Sequence, residues 1–198
     1  GATFTDGGVF PTSAIGDAGD PVLARDNTTG RIYFSTLGFS APSTIQMFRS
    51  DDNGATWMAP VVATPGSSSD DKQWHVVDNF PGSGNGNVYL LTRRFGTPAP
   101  TGVYFYKSTD GGATFGPSGG TLIVSGNQGA YIEVGPDHSI YAFWFQGTTI
   151  QMRKSTDQGA TFAPAVTVAT FTAGGTNGDL GLVGSRNVGL ANSAFRSS

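Results

Sequence analysis

Ser50-Asp51-Asp52-Asn53-Gly54-Ala55-Thr56-Trp57 is the first of three matching stretches in this chain. Ser108-Thr109-Asp110-Gly111-Gly112-Ala113-Thr114-Phe115 and Ser155-Thr156-Asp157-Gln158-Gly159-Ala160-Thr161-Phe162 align with it without gaps, as S-x-D-x-G-A-T-[WF]. The serines lie 58 and then 47 residues apart, the spacing of a repeated supersecondary unit. Each shared position has a physical job. Asp52, Asp110 and Asp157 can accept hydrogen bonds from turn N–H groups, as Asx turns do. Gly54, Gly112 and Gly159 suit a backbone position where a Cβ is costly. Ser50, Ser108 and Ser155, with the threonines, can satisfy neighbouring backbone groups. Trp57, Phe115 and Phe162 are aromatic plugs for the apolar layer between neighbouring sheets. The pattern therefore reads as a self-satisfied hairpin turn with an aromatic anchor.

Outward from each turn the same order of strands recurs. Pro21–Arg25, Arg31–Ser35 and Thr44–Phe48 precede the first motif, and Pro60–Ala63 follows it. Gln73–Val77, Val88–Arg93 and Val103–Lys107 precede the second, with Thr121–Val124 after it. Ala130–Val134, Ile140–Phe145 and Thr149–Lys154 precede the third, with Ala165–Val168 after it. Four strands per repeat is the pattern of a β-propeller blade. The predicted class is all-β, with blades of four antiparallel strands, three to four blades in number and short of a closed ring.

The motif resembles the Asp box, or BNR repeat, of the sialidase superfamily, and the resemblance spans residues 1 to about 172. It implies a hairpin joining the third and fourth strands of each blade, on the face away from the ligand site. It makes the motif carboxylates structural. Gly1-Ala2-Thr3-Phe4 matches the second half of a motif, so a preceding blade is expected from the parent chain or from another subunit. Residues 173–198 are rich in Gly, Asn and Ser and read as an irregular connection or a degenerate blade.

Composition narrows the function classes. Only 13% of residues are charged and the net charge is −3. With three lysines and no basic stripe, nucleic acid is not an expected partner. No apolar run approaches the ~18 residues that span a bilayer. Cysteine is absent, which removes disulfides, zinc–thiolate sites and thiol nucleophiles together. Low charge with abundant Gly, Thr and Ser leans towards an exported bacterial protein at the cell surface or outside it.

Sialidase-like enzymes carry an arginine cluster, a Tyr–Glu nucleophile pair and an acid/base Asp, with the first arginine in an F/Y-R-I-P motif. No such motif occurs here; Arg31-Ile32-Tyr33 lacks the proline. Propeller ligands sit over loops that enter the first strand and leave the second. Those loops are expected at 16–20, 39–43, 66–72, 97–102 and 126–129. Candidate ligand contacts near them are Glu133, Tyr131, Trp74, Arg93 and Asp71. Glu133, on an innermost strand, is a candidate acid/base or polar contact, or a solvated channel residue. Trp74 can stack on a sugar or pack between blades. Arg93 and Arg94 read as a solvated pair, of which one at most faces a given site. His75 has no serine at a triad-like spacing, and two histidines do not make a zinc site. Asn27-Thr28-Thr29 fits a glycosylation acceptor. No cofactor or metal is expected. These observations favour a non-catalytic module that binds glycan or protein, or scaffolds a surface assembly. The alternatives are part of a sialidase-like glycoside hydrolase, or a subunit that completes a ring with other chains.

Overall fold

The computed structural model describes residues 3–171, apart from 4, 9, 18 and 39. The half-motif at Gly1 to Phe4, Thr3 excepted, and the segment 173–198 lie outside the described residues. The described chain is all β, with twelve strands in three antiparallel sheets of four. The first blade is β1 (Val22–Arg25), β2 (Ile32–Leu37), β3 (Ile45–Ser50) and β4 (Val61–Val62). The second is β5 (Asp70–Val77), β6 (Val88–Arg94), β7 (Gly102–Ser108) and β8 (Gly116–Ser125). The third is β9 (Gln128–Val134), β10 (Ile140–Gln146), β11 (Thr149–Ser155) and β12 (Val166–Thr170). Strand order follows chain order within every sheet.

Two apolar layers hold the blades face to face. Between the first and second, Tyr33, Ile45 and Met47 meet Val88, Leu90, Tyr104, Tyr106 and Phe115. Between the second and third, Tyr89, Leu91, Val103 and Phe105 meet Ala130, Ile132, Ile140, Ala142 and Trp144. The second blade therefore spends alternate residues of each strand on opposite neighbours, as the period of two requires. That is why β6 is buried at all seven positions and reads Val-Tyr-Leu-Leu-Thr-Arg-Arg, without polar–apolar alternation. Each fully buried Leu, Phe or Tyr in these layers contributes about 1.5–3 kcal/mol. At the inner edge β5 lies against β1 on one side and against β9 on the other.

Several strands run further than their sequence suggests. The stretch 70–72, expected as loop, belongs to β5, and β9 begins at Gln128, inside the loop expected at 126–129. The reason for the first is a bulge between Asp71 and Trp74, with Lys72 at φ 47. The bulge absorbs residues that break the alternation while Asp70 and Asp71 still pair with Arg94 and Arg93.

Candidate functional site

The three motif turns share one hydrogen-bond scheme. Ser50 Oγ donates to Asp52 Oδ1 (2.8 Å) and accepts from the Gly54 amide (2.8 Å). Asp52 also accepts from the Thr56 amide (2.8 Å) and the Thr56 hydroxyl (2.6 Å). The same bonds link Ser108, Asp110, Gly112 and Thr114, and again Ser155, Asp157, Gly159 and Thr161. Asn53, Gly111 and Gln158 precede the glycine, and both residues of each pair adopt positive φ. Consecutive left-handed residues are the geometry of a tight hairpin connection. The Thr56 hydroxyl and amide, with Ser50, bring Asp52 down to about 2, and Thr161 with Ser155 does the same for Asp157. At Asp110 burial opposes the shift, but Thr114 and Ser108 prevail and the value is again about 2. These carboxylates are anionic acceptors spent inside their own turns.

The opposite end of the blades is built differently. Arg94, 1% exposed, is the staple of the first junction. It donates to Ser67 Oγ (2.9 Å), Gly119 O (2.8 Å) and the Tyr106 hydroxyl, and its guanidinium lies 3.6 Å over the Tyr104 ring. Asp70 is 3.9 Å from it. Burial pushes the Asp70 carboxyl up to about 6 against the pull of Thr64, Ser67 and Arg94, and neither of its oxygens accepts a bond of ordinary geometry. Burial, then the charge of Asp70, raises the Tyr106 phenol to about 12.

Arg93 points to the other face of β6, the face that carries Leu91 into the second junction. It is 7% exposed, with Nε and Nη1 buried and without hydrogen-bond partners. Its guanidinium stands 4.4 Å from the Phe95 ring, and its cross-strand neighbour is Asp71, which turns back to accept from the Lys72 amide (2.7 Å). Burial lowers Arg93 below the ordinary guanidinium value. The expectation of a solvated Arg93–Arg94 pair is thus corrected, because the strand ends on which they stand are covered by blades on both sides.

Trp74, Tyr131 and Glu133 come together at the inner edge of the same junction. The Trp74 and Tyr131 rings lie 5.0 Å apart, and Trp74 packs on the apolar layer. The Tyr131 hydroxyl donates to Glu133 Oε1 (2.5 Å). Burial, then that carboxylate, raises the Tyr131 phenol. Glu133 is exposed and pairs across the ladder with Tyr141, so it stands nearer the motif end of β9 than the loop end. Two clefts open elsewhere. One of about 350 Å³ lies between Phe10, Phe34 and Phe48, and one of about 660 Å³ lies between Ile15, Pro42, Gln46 and Pro65. Neither touches Arg93, Trp74, Tyr131, Glu133 or Asp71.

The histidines find partners that spacing did not reveal. Ser35 Oγ lies 2.9 Å from His75 Nδ1, a Ser–His contact across the first junction. Both groups are buried, burial brings His75 down to about 4, and its Nε2 has no partner. A nucleophile needs access that this serine lacks. His138 Nδ1 lies 2.7 Å from Asp78 Oδ2 across the second junction, and that bond raises its pKa. Among the described residues no three His, Asp or Glu side chains gather as metal ligands, and no helix is long and apolar enough to cross a membrane.

No protein-family model matches the sequence, and no curated protein matches it. Solved structures do match in fold. The Hadza microbial sialidase Hz136 superposes with a TM-score of 0.56 at 17% identity, covering 73% of this chain and 32% of its own. The intramolecular trans-sialidase from Ruminococcus gnavus, in complex with oseltamivir carboxylate, gives 0.55 at 14%, covering 75% and 53%. The α-L-arabinofuranosidase Arb93A from Fusarium graminearum, a mutant bound to an iminosugar inhibitor, gives 0.54 at 12%, covering 76% and 49%. The chain therefore has the β-propeller fold of these glycosidases and spans between about a third and a half of their lengths.

Proposed function

We propose that this chain is a non-catalytic, exported, Asp-box propeller module that binds an acidic glycan at the loop end of its second blade junction. The observation that carries the reading is Arg93, a buried guanidinium with two N–H-bearing nitrogens unsatisfied. A buried unpaired cation costs free energy, and a carboxylate ligand received in bidentate fashion offsets that cost. Asp71 beside it can accept sugar hydroxyls, and the Trp74–Tyr131 pair offers an aromatic surface at the inner edge. That the fold neighbours include two sialidases and an arabinofuranosidase supports a carbohydrate ligand. Calorimetric titration with matched acidic and neutral oligosaccharides tests the reading. The acidic sugar is expected to bind and to lose at least tenfold in affinity on Arg93→Met. Equal binding of both sugars, or no binding of either, overturns it.

A second reading, part of a glycoside hydrolase, is favoured by one contact, the Tyr131–Glu133 hydrogen bond. A phenol that donates to a carboxylate is the arrangement of a nucleophile with its base. Turnover of aryl sialosides or arabinofuranosides, abolished by Tyr131→Phe, is the outcome that would replace the first reading.

A further inference from the structure

We propose that the His138 imidazolium is a pH-sensitive latch, which clasps the third blade to the β5–β6 hairpin of the second and holds more tightly in mild acid than in mild alkali. Each hairpin between a blade's first and second strands contains one aspartate. Asp26 and Asp137 each accept from a hydroxyl of their own hairpin, Thr29 (2.6 Å) and Ser139 (2.7 Å). Asp78 accepts from the Phe80 amide at Oδ1 (3.1 Å), but its Oδ2 takes the ring of His138, from the β9–β10 hairpin of the next blade (2.7 Å). Asp78 is fully buried, and a buried carboxylate is costly without such a donor. Both ring nitrogens of His138 face acceptors, because Nε2 lies 3.2 Å from Pro81 O while Nδ1 meets the carboxylate. Only the imidazolium has two N–H groups to give. A neutral ring keeps one of the two bonds and turns a lone pair towards the other oxygen. The second-blade hairpin is shaped to the ring. A Cβ on Gly82 would collide with Nε2, and one on Gly84 would collide with Asp78 Oδ2 and come within 2.9 Å of Nδ1.

The other ties of this hairpin are amides and hydroxyls. Towards the first blade, Asn79 Oδ1 accepts from the Asn27 amide (2.7 Å), Asn79 Nδ2 donates to Arg25 O (2.8 Å), and Asn85 Oδ1 accepts from Thr28 Oγ1 (2.8 Å). Towards the third, Gln158 donates to Ser83 Oγ (3.3 Å) and accepts from Asn87 Nδ2 (3.2 Å). The motif turns are seated by cations of the preceding blade, where Lys107 Nζ donates to Gln158 O (3.1 Å) and Arg31 Nη1 to Gly111 O (2.8 Å). Around His138 the charged neighbours are Asp78 opposite it, Asp137 beside it with Lys154 at 3.4 Å, and Lys107 behind the Gln158 turn. Asp26, the first-blade carboxylate nearest the hairpin, is held by Thr28 and Thr29 of its own turn. The Tyr89 phenol beneath is raised by burial. The Asp78 bond first, and the charges of Asp78 and Asp137 with it, raise His138 above its ordinary 6.5. Stability from the latch is therefore complete below that ordinary value and is lost as pH rises through the folded one. The change falls on the second junction and spares the first.

Histidine NMR titration of the 198-residue chain, with thermal unfolding from about pH 6 to about 8.5, tests the proposal. The chain has two histidines, and burial brings His75 down to about 4, so the signal that moves in this range belongs to His138. Its midpoint is expected above 6.5, and the stability advantage of the wild type over His138→Gln is expected to shrink as pH rises. Gly84→Ala keeps every titrating group and sets a methyl between Asp78 and His138, at a residue outside the left-handed region. It should return the His138 midpoint towards 6.5. A wild-type midpoint at or below 6.5, a stability difference from His138→Gln that does not shrink with rising pH, or a folded Gly84→Ala protein whose His138 titrates as in the wild type overturns the proposal.

Discussion

At the motif end of the blades both oxygens of Asp52, Asp110 and Asp157 have partners within their own turns. At the loop end two nitrogens of Arg93 are buried without a hydrogen bond, and Asp70, whose oxygens accept none of ordinary geometry, has the Arg94 guanidinium at 3.9 Å. The same twelve strands connect the two ends, so the difference lies in the connections. A short-range bond network needs only eight adjacent residues and is rebuilt wherever they recur. The loop-end groups depend on neighbours from other strands and other blades, and there the chain leaves polar atoms open. Buried polar atoms without partners are uncommon; Arg49 and Arg153 each leave an Nε open near the motif end, but among the described residues only at Arg93 are two nitrogens of one guanidinium open together.

The contrast can be broken most severely at Arg94. Arg94→Ala leaves Asp70 and the Tyr106 hydroxyl without their cation and should cost about 3–5 kcal/mol in denaturant unfolding. At the motif end Ser108→Ala should cost about 1–3 kcal/mol, since the buried Gly112 amide loses its acceptor. Arg93→Met should do the reverse, leaving stability unchanged or raising it by up to about 1 kcal/mol while ligand affinity falls. An equally large loss of stability in Arg93→Met would show that its charge is satisfied after all.

The smallest effect sharpens the comparison through pH. The motif carboxylates lie at about 2 in the fold against an ordinary 3.8, so their contribution is present above pH 4 and fades as pH falls towards 2. Asp70 has the opposite sign. Raised to about 6, it binds its proton more tightly folded than unfolded, so its contribution falls as pH rises from 4 through 6. Asp70→Asn should flatten the unfolding profile between pH 4 and 6 and leave the acid limb below pH 4 in place.

The motif end was legible in sequence because its interactions are local: Ser50, Asp52, Gly54 and Thr56 bond within seven residues of one another. The strands were legible to within a few residues because their aromatic and β-branched runs are bounded by turns. Illegible were the contacts that close only when blades stack. His138 meets Asp78 from 60 residues away, and Ser35 meets His75 from 40. The burial of Arg93 and Arg94 was missed for the same reason. Two adjacent arginines before a Phe-Gly pair look like the start of a solvated loop, and only the blades on either side of β6 take them out of water. The bulge at Asp71–Trp74 was hidden because Asp-Asp-Lys carries the composition of a turn.

The seating of each motif turn has a consequence for how such chains diverge. The bond that fixes one blade to the next is received by a main-chain carbonyl, that of Gly111 in one case and Gln158 in the other. The Gln158 side chain adds bonds to Asn87 and Ser83, whereas Gly111 makes its joint through the carbonyl alone, so the shared requirement is a backbone that can turn left-handed. A joint made through the main chain does not register most substitutions, so selection can rewrite the surrounding residues without unfastening the blades.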